Sequence, residues 1–170
     1  LGEKYCTNEN INPYRSIGSN VLVNLFDVLE FRDVTKQLDG MYAFTLLDNA
    51  KKTITISRDP QGEKSLYIYE DRSVLIISST IPPILKLVKD ISYDHQTIRN
   101  YFKSRHFMFE KDTPYNGIKQ LRPGESKVLD LKNMSWDIIE QRSIMDWVNA
   151  DSFYAMKSMT MDEAADKLDS

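Results

Sequence analysis

The sequence has 170 residues and carries 22 Lys and Arg against 25 Asp and Glu, which gives a formal net charge of −3. This length is typical of one folded domain, and the mild acidic balance argues against partners such as nucleic acid or an anionic membrane surface. The single cysteine, Cys6, excludes an internal disulfide framework, and no apolar run approaches the ~20 residues of a membrane-spanning helix.

The first periodic segment of the chain has a helical pattern. Apolar residues recur at helical spacing from Ser19 to Leu29, and Ser19 is the expected N-cap. The segment Phe31–Leu38 predicts a short second helix, which Asp39 and Gly40 would end.

Extended segments follow, in which β-branched and aromatic residues dominate. Four strands are predicted at Met41–Asp48, Thr53–Arg58, Leu66–Tyr69 and Val74–Ser78. The turns between them are short, whereas parallel strands need longer crossovers. The pattern therefore predicts an antiparallel meander.

The remaining chain mixes helical and extended patterns. Helices are predicted at Ile84–Val88 and Gln96–Lys103, then strands at Ser126–Leu131 and Trp136–Glu140, and a last helix at Met161–Leu168. This order of elements predicts an α+β fold with a mainly antiparallel sheet.

The residues on their own indicate little chemistry. Cys6 could act as a nucleophile with His95 or His106 as its base, but nothing in the spacing brings these residues together, and a lone cysteine is more often a small buried hydrophobe. No metal-ligand spacing or phosphate-binding glycine loop is present. The segment Arg58–Gly62 is interpreted as a tight turn, with the alternative that Arg58 or Asp59 points into a site.

Six segments nevertheless stand in a specific order: Leu1–Cys6, Gly18–Asn20, Leu38–Phe44, Arg58–Tyr67, Ile77–Thr80 and Thr113–Gly124. In this order they resemble the motifs of the glutaminase domain of glutamine-hydrolysing asparagine synthetases. Those domains are class II amidotransferases, whose nucleophile is an N-terminal cysteine. The resemblance covers residues 1 to about 131.

The resemblance implies an α-β-β-α sandwich of two antiparallel sheets, of the N-terminal-nucleophile hydrolase type and incomplete here at its N-terminus. It also implies that a cysteine attacks the side-chain amide of glutamine, that ammonia leaves as a thioester forms, and that water then releases glutamate. The ammonia would serve a synthetase domain of the same chain, which uses ATP and Mg²⁺ to amidate aspartate. Such enzymes are expected in the cytoplasm.

The same resemblance implies roles for individual residues. The backbone N–H of Gly2 corresponds to an oxyanion-hole donor, while Glu3 and Asn20 correspond to residues that bind the substrate glutamine. Leu1 replaces an asparagine donor of the family, and Asn20 replaces an aspartate. Cys6 aligns with an asparagine of the first motif, so the attacking cysteine is expected upstream of Leu1.

The expected organisation is a partial glutaminase domain at residues 1–142, a linker at 143–160 and the start of a synthetase helix at 161–170. The synthetase motif S-G-G-x-D-S does not occur, so no cofactor is expected within these residues, and the fragment alone is expected to be inactive. The alternative is a degenerate, non-catalytic module of a β-lactam-synthetase-like or sugar-modifying amidotransferase. A third possibility is a plain binding domain with accidental motif matches, which parallel pairing of Met41–Asp48 with Thr53–Arg58 would favour.

Overall fold

The computed structural model describes residues 17–105 and 112–147, the single positions 151, 154 and 157, and residues 159–168. The chain divides into two compact units, Leu1–Gly40 and Met41–Ser170. None of the helices in these ranges combines the length and the apolar character needed to cross a bilayer.

In the first unit, the structure describes two helices. Helix α1 spans Ile17–Val28 and helix α2 spans Phe31–Gln37. Helix α1 begins before Ser19, so the prediction of Ser19 as its N-cap is wrong and this residue lies in the first turn. The second helix is confirmed, and it ends where Leu38 adopts an extended conformation.

The second unit contains strands that form two antiparallel sheets. The strands are β1 (Ala43–Asp48), β2 (Thr53–Arg58), β3 (Tyr67–Glu70), β4 (Leu75–Ser78), β5 (Ile118–Gln120), β6 (Glu125–Asp130) and β7 (Ser135–Gln141). One sheet has the order β1-β2-β6-β7 and the other has the order β4-β3-β5. The α+β class and the antiparallel pairing are therefore confirmed.

The predicted meander is wrong at one position. Strands β1 and β2 pair, and so do β3 and β4, but β2 pairs with β6 instead of β3. The segment between Arg58 and Tyr67 therefore carries the chain from one sheet to the other. Strands β1 and β2 pair antiparallel, so the parallel pairing that would favour a plain binding domain is not found here.

Side chains from the two sheets form one core. Ile56 of β2 packs with Leu66 and Leu121, which flank strands of the other sheet, and partly buried Ile68 and Trp136 pack against this cluster. Strand β2 has a buried residue at each of its last four positions, so both of its faces are covered. This strand therefore lies at the centre of the second unit.

Between β4 and β5, residues 79–105 and 112–117 are described and contain two helices. Helix α3 (Ile81–Leu87) has proline in its first turn, where the missing N–H has no helical partner. Helix α4 (His95–Ser104) is capped by Asp94, whose carboxylate accepts the backbone N–H groups of Gln96 and Thr97.

Helical segments follow β7 in the described part of the chain. A short 3₁₀ helix spans Ile144–Trp147, and helix α5 spans Met161–Leu168 as predicted. The predicted domain limits at residues 142 and 160 stay predictions.

Candidate functional site

The residues of the predicted glutamine site are only partly described. Gly2 and Glu3 lie outside the described residues, as do Cys6 and His106. The backbone of Asn20 belongs to the first turns of α1. His95 is exposed at the start of α4. The structure therefore leaves the roles predicted for Gly2, Glu3 and Asn20 as predictions.

A network of hydrogen bonds surrounds Arg58, at the end of β2. Its guanidinium donates from Nη2 to the carbonyl oxygen of Gly62, from Nε to that of Lys64 and from Nη1 to that of Leu121, each at 2.6 Å. Because Leu121 follows a strand of the other sheet, Arg58 connects the two sheets through the backbone. A planar guanidinium fits such divergent acceptors, which a lysine ammonium cannot reach together.

Asp59, the next residue along the chain, completes this network. Its carboxylate accepts the backbone N–H of Glu63 at 2.9 Å, of Lys64 at 3.1 Å and of Tyr42 at 3.3 Å. The Asp59 carbonyl also accepts the N–H of Gly124, which precedes β6. The side chain is fully buried. The interpretation of Arg58–Gly62 as a tight turn is therefore confirmed, and both charged side chains bind backbone groups of the domain itself.

A second polar group lies beside this turn. The hydroxyls of Ser57 and Ser126 are 2.7 Å apart and buried, and they join β2 to β6.

Burial raises the pKa of Tyr42 above its ordinary value of 10.0, and the positive charge of Arg142 opposes this rise. Tyr42 therefore stays a neutral phenol, able to donate and accept hydrogen bonds at physiological pH.

A cleft of about 380 Å³ opens between the two sheets. Its lining includes the charged side chains of Glu70, Lys119, Arg122, Glu125 and Lys127. The sequence reasoning did not identify this cleft. The available signal was the spacing of Glu125, Lys127 and Leu129, which places two charges on the same strand face as a core residue.

Within the described ranges, no group of three or more His, Cys, Asp or Glu side chains is arranged to hold a metal ion.

Comparison with protein families gives one match that covers most of the chain. The family described as "Glutamine amidotransferase domain" matches residues 10–140. The match includes every strand of both sheets except the last residue of β7. It also includes Asn20 and the turn that contains Arg58 and Asp59.

Curated relatives agree with this family. A putative asparagine synthetase (glutamine-hydrolyzing) 2 of Methanocaldococcus jannaschii is 28% identical over 156 residues, 86% of this chain and 29% of that protein. A putative asparagine synthetase (glutamine-hydrolyzing) of Mycobacterium bovis is 29% identical over 96 residues, 54% of this chain and 15% of that protein. The asparagine synthetase (glutamine-hydrolyzing) of Bos taurus is 25% identical over 118 residues, 68% of this chain and 17% of that protein. The chain thus spans less than a third of the length of each of these relatives.

Proposed function

Because this chain belongs to the glutamine amidotransferase domain family, we propose that it is the glutaminase part of an asparagine-synthetase-like enzyme. The observation that carries this proposal is the family match over residues 10–140, which coincides with two antiparallel sheets that share one core. We also propose that the two sheets belong to an α-β-β-α sandwich of the N-terminal-nucleophile hydrolase type. The proposed domain ends at residue 142.

The proposed reaction is hydrolysis of the glutamine side-chain amide. A cysteine thiolate attacks the amide carbon, the C–N bond breaks, and protonated nitrogen leaves as ammonia while a thioester forms. Water then attacks the thioester, which releases glutamate and restores the thiol. In this scheme the Gly2 N–H donates to the oxyanion, and Glu3 and Asn20 hold the substrate. The attacking thiol belongs to a residue other than Cys6.

The ammonia has a proposed destination in the same protein. The relatives are named asparagine synthetases, and this chain spans less than a third of their length. We propose that a synthetase domain of the same protein uses the ammonia, with ATP and Mg²⁺, to amidate aspartate. Glutamine is then the substrate that this domain itself binds.

A second candidate is a degenerate module without glutaminase activity. Leu1 lacks the side-chain donor that the resemblance places there, and loss of one oxyanion donor typically slows an enzyme by about 10²–10³-fold. Asn20 is a neutral residue where a carboxylate is expected, so it loses the charge-assisted part of a hydrogen bond to the glutamine ammonium group. These two residues favour the second candidate, and an activity assay separates it from the first.

The test is glutamine hydrolysis by the full-length protein that carries this chain. We expect glutamate release, and we expect Glu3→Gln to raise KM for glutamine about tenfold, because a charge-assisted contact contributes about 1.4 kcal/mol. Glu30→Gln, which neutralises an exposed glutamate with no predicted role in substrate binding, is the control and should leave KM unchanged. A folded full-length protein that releases no glutamate would support the degenerate module instead.

A further inference from the structure

The cleft between the two sheets carries positive charge that the described protein residues do not neutralise. Lys119 projects from β5, Lys127 from β6, and Arg122 follows β5. Of these three cations, only Lys127 forms an ion pair with a described residue: its Nζ lies 3.1 Å from Oε1 of Glu125. In these residues neither Lys119 nor Arg122 has a carboxylate within ion-pair distance.

The two carboxylates of the cleft already have partners. Oε2 of Glu125 accepts the backbone N–H of Arg122 at 2.9 Å, and this side chain is only 6% exposed. Oε2 of Glu70 accepts the indole N–H of Trp136 at 2.8 Å. This hydrogen bond joins β3 of one sheet to β7 of the other. Both carboxylates stay charged in these contacts, so the three cations and two carboxylates of the lining leave a net charge of +1, with Lys119 and Arg122 outside any ion pair among the described residues.

Most of the remaining side chains of the lining are apolar, and Gln120 adds an amide. Ile68, Leu121, Ile138 and the aromatic ring of Trp136 contribute to the walls of the cleft. A volume of about 380 Å³ lies within the range of small-molecule sites, which combine apolar walls with a few placed polar groups. The cleft thus offers an apolar surface next to two cations.

We propose that this cleft binds a small organic anion, whose carboxylate or phosphate contacts Lys119 and Arg122 and whose apolar body packs against Trp136. The proposal rests on Lys119, Arg122 and Trp136 and on none of Gly2, Glu3 and Asn20, so anion binding and glutamine hydrolysis are tested by different variants.

The test uses the fluorescence of Trp136 in the full-length protein, in a Trp147→Phe background that removes the second tryptophan of this chain. AMP and benzoate are the anionic probes, and adenosine and benzamide are their matched neutral analogues. A Trp136→Phe variant measures the emission change that comes from tryptophans elsewhere in the protein, and this change is subtracted. We expect a saturable change in emission with at least one anion and not with its neutral analogue. A response to AMP alone would identify phosphate as the bound group, and a response to benzoate alone would identify carboxylate.

Substitutions then assign the response to the cleft. Lys119→Ala should raise the Kd of the anion about tenfold, since one charged contact contributes about 1.4 kcal/mol. Lys103→Ala, which removes an exposed lysine of α4, should leave it unchanged. Circular dichroism confirms that both variants fold. No saturable response to either anion, equal responses to the neutral analogues, or an unchanged Kd in Lys119→Ala would each overturn the proposal.

Discussion

Arg58 and Asp59 show how two residues fix the path of the chain between the sheets. Pro60 and Gly62 are enough to predict a tight turn, because proline fixes φ and glycine permits the observed φ of 71°. The acceptor of Arg58 Nη1, however, is the carbonyl of Leu121, 63 residues further along the chain. Local sequence holds no signal for a partner at that separation, so the connection between the sheets could not be predicted.

The connection predicts a large effect for a conservative change. Arg58→Lys keeps the charge but cannot reach three separate carbonyl groups, of which one is buried and two are partly buried, so at least one of them loses its donor. We expect a loss of about 2–4 kcal/mol in the free energy of unfolding, measured by chemical denaturation. Arg72→Lys, at an exposed turn, is the control and should stay within about 0.5 kcal/mol of the wild type. Equal effects of the two changes would contradict the structural role of Arg58.

Asp71 gives a prediction in pH. Hydrogen bonds from the backbone N–H and hydroxyl of Ser73, together with the N–H of Val74, lower the pKa of Asp71 to about 2 from 3.8. Because the folded pKa is lower than the unfolded one, this contribution to stability is complete above pH 3.8 and is lost as the pH falls through 2. Carboxyl NMR titration should give a midpoint at about 2, and Ser73→Ala should raise it. A wild-type midpoint near 3.8 would contradict the turn geometry.

At the scale of elements, regular patterns predicted regular structure. The alternation of Thr and Ile gives β2 the predicted bounds Thr53–Arg58, and β1, β3, β4, β6 and β7 appear within a few residues of their predicted positions. Strand β5 has only three residues, Ile118–Gln120, of which two are polar, so it carries no measurable alternation. Its pairing with β3 comes from the sheet it joins, which explains why the sequence did not predict it.

Gly124, in the turn before β6, gives a prediction for the stability of the fold. Gly124 has φ of 70°, and an added Cβ would lie 1.8 Å from the carbonyl oxygen of Arg142, beyond the end of β7. Gly40 also has positive φ, at 105°, but its Cβ would meet nothing within 4 Å. Both alanine variants should be destabilised by backbone strain of about 1–3 kcal/mol, with a further loss of about 2 kcal/mol or more for Gly124→Ala from the clash.

Thermal or chemical denaturation of the two variants checks this difference, and failure of Gly124→Ala alone to fold would agree with it. Gly124→Ala as stable as Gly40→Ala would show that the β6 junction can move aside.

At the scale of the whole molecule, the fold class and the functional class are predicted from different features of the sequence. Composition and periodicity predicted an α+β domain, and the core of Ile56, Leu66 and Leu121 shows how the two sheets form it. The glutamine chemistry was predicted only through ordered motifs, because Gly2, Glu3 and Asn20 carry no spacing that identifies an amide-cleaving site by itself. The inter-sheet cleft depends on residues from four strands, so it required the fold.

The most direct test of the central claim is covalent labelling of the full-length protein by a glutamine analogue that carries an electrophile in place of the side-chain amide. We predict that one equivalent attaches to a cysteine other than Cys6, that glutamine protects against labelling, and that Cys6→Ala is labelled like the wild type. Labelling that glutamine does not prevent, labelling lost in Cys6→Ala, or no labelling of the folded protein would contradict a glutaminase built on this domain.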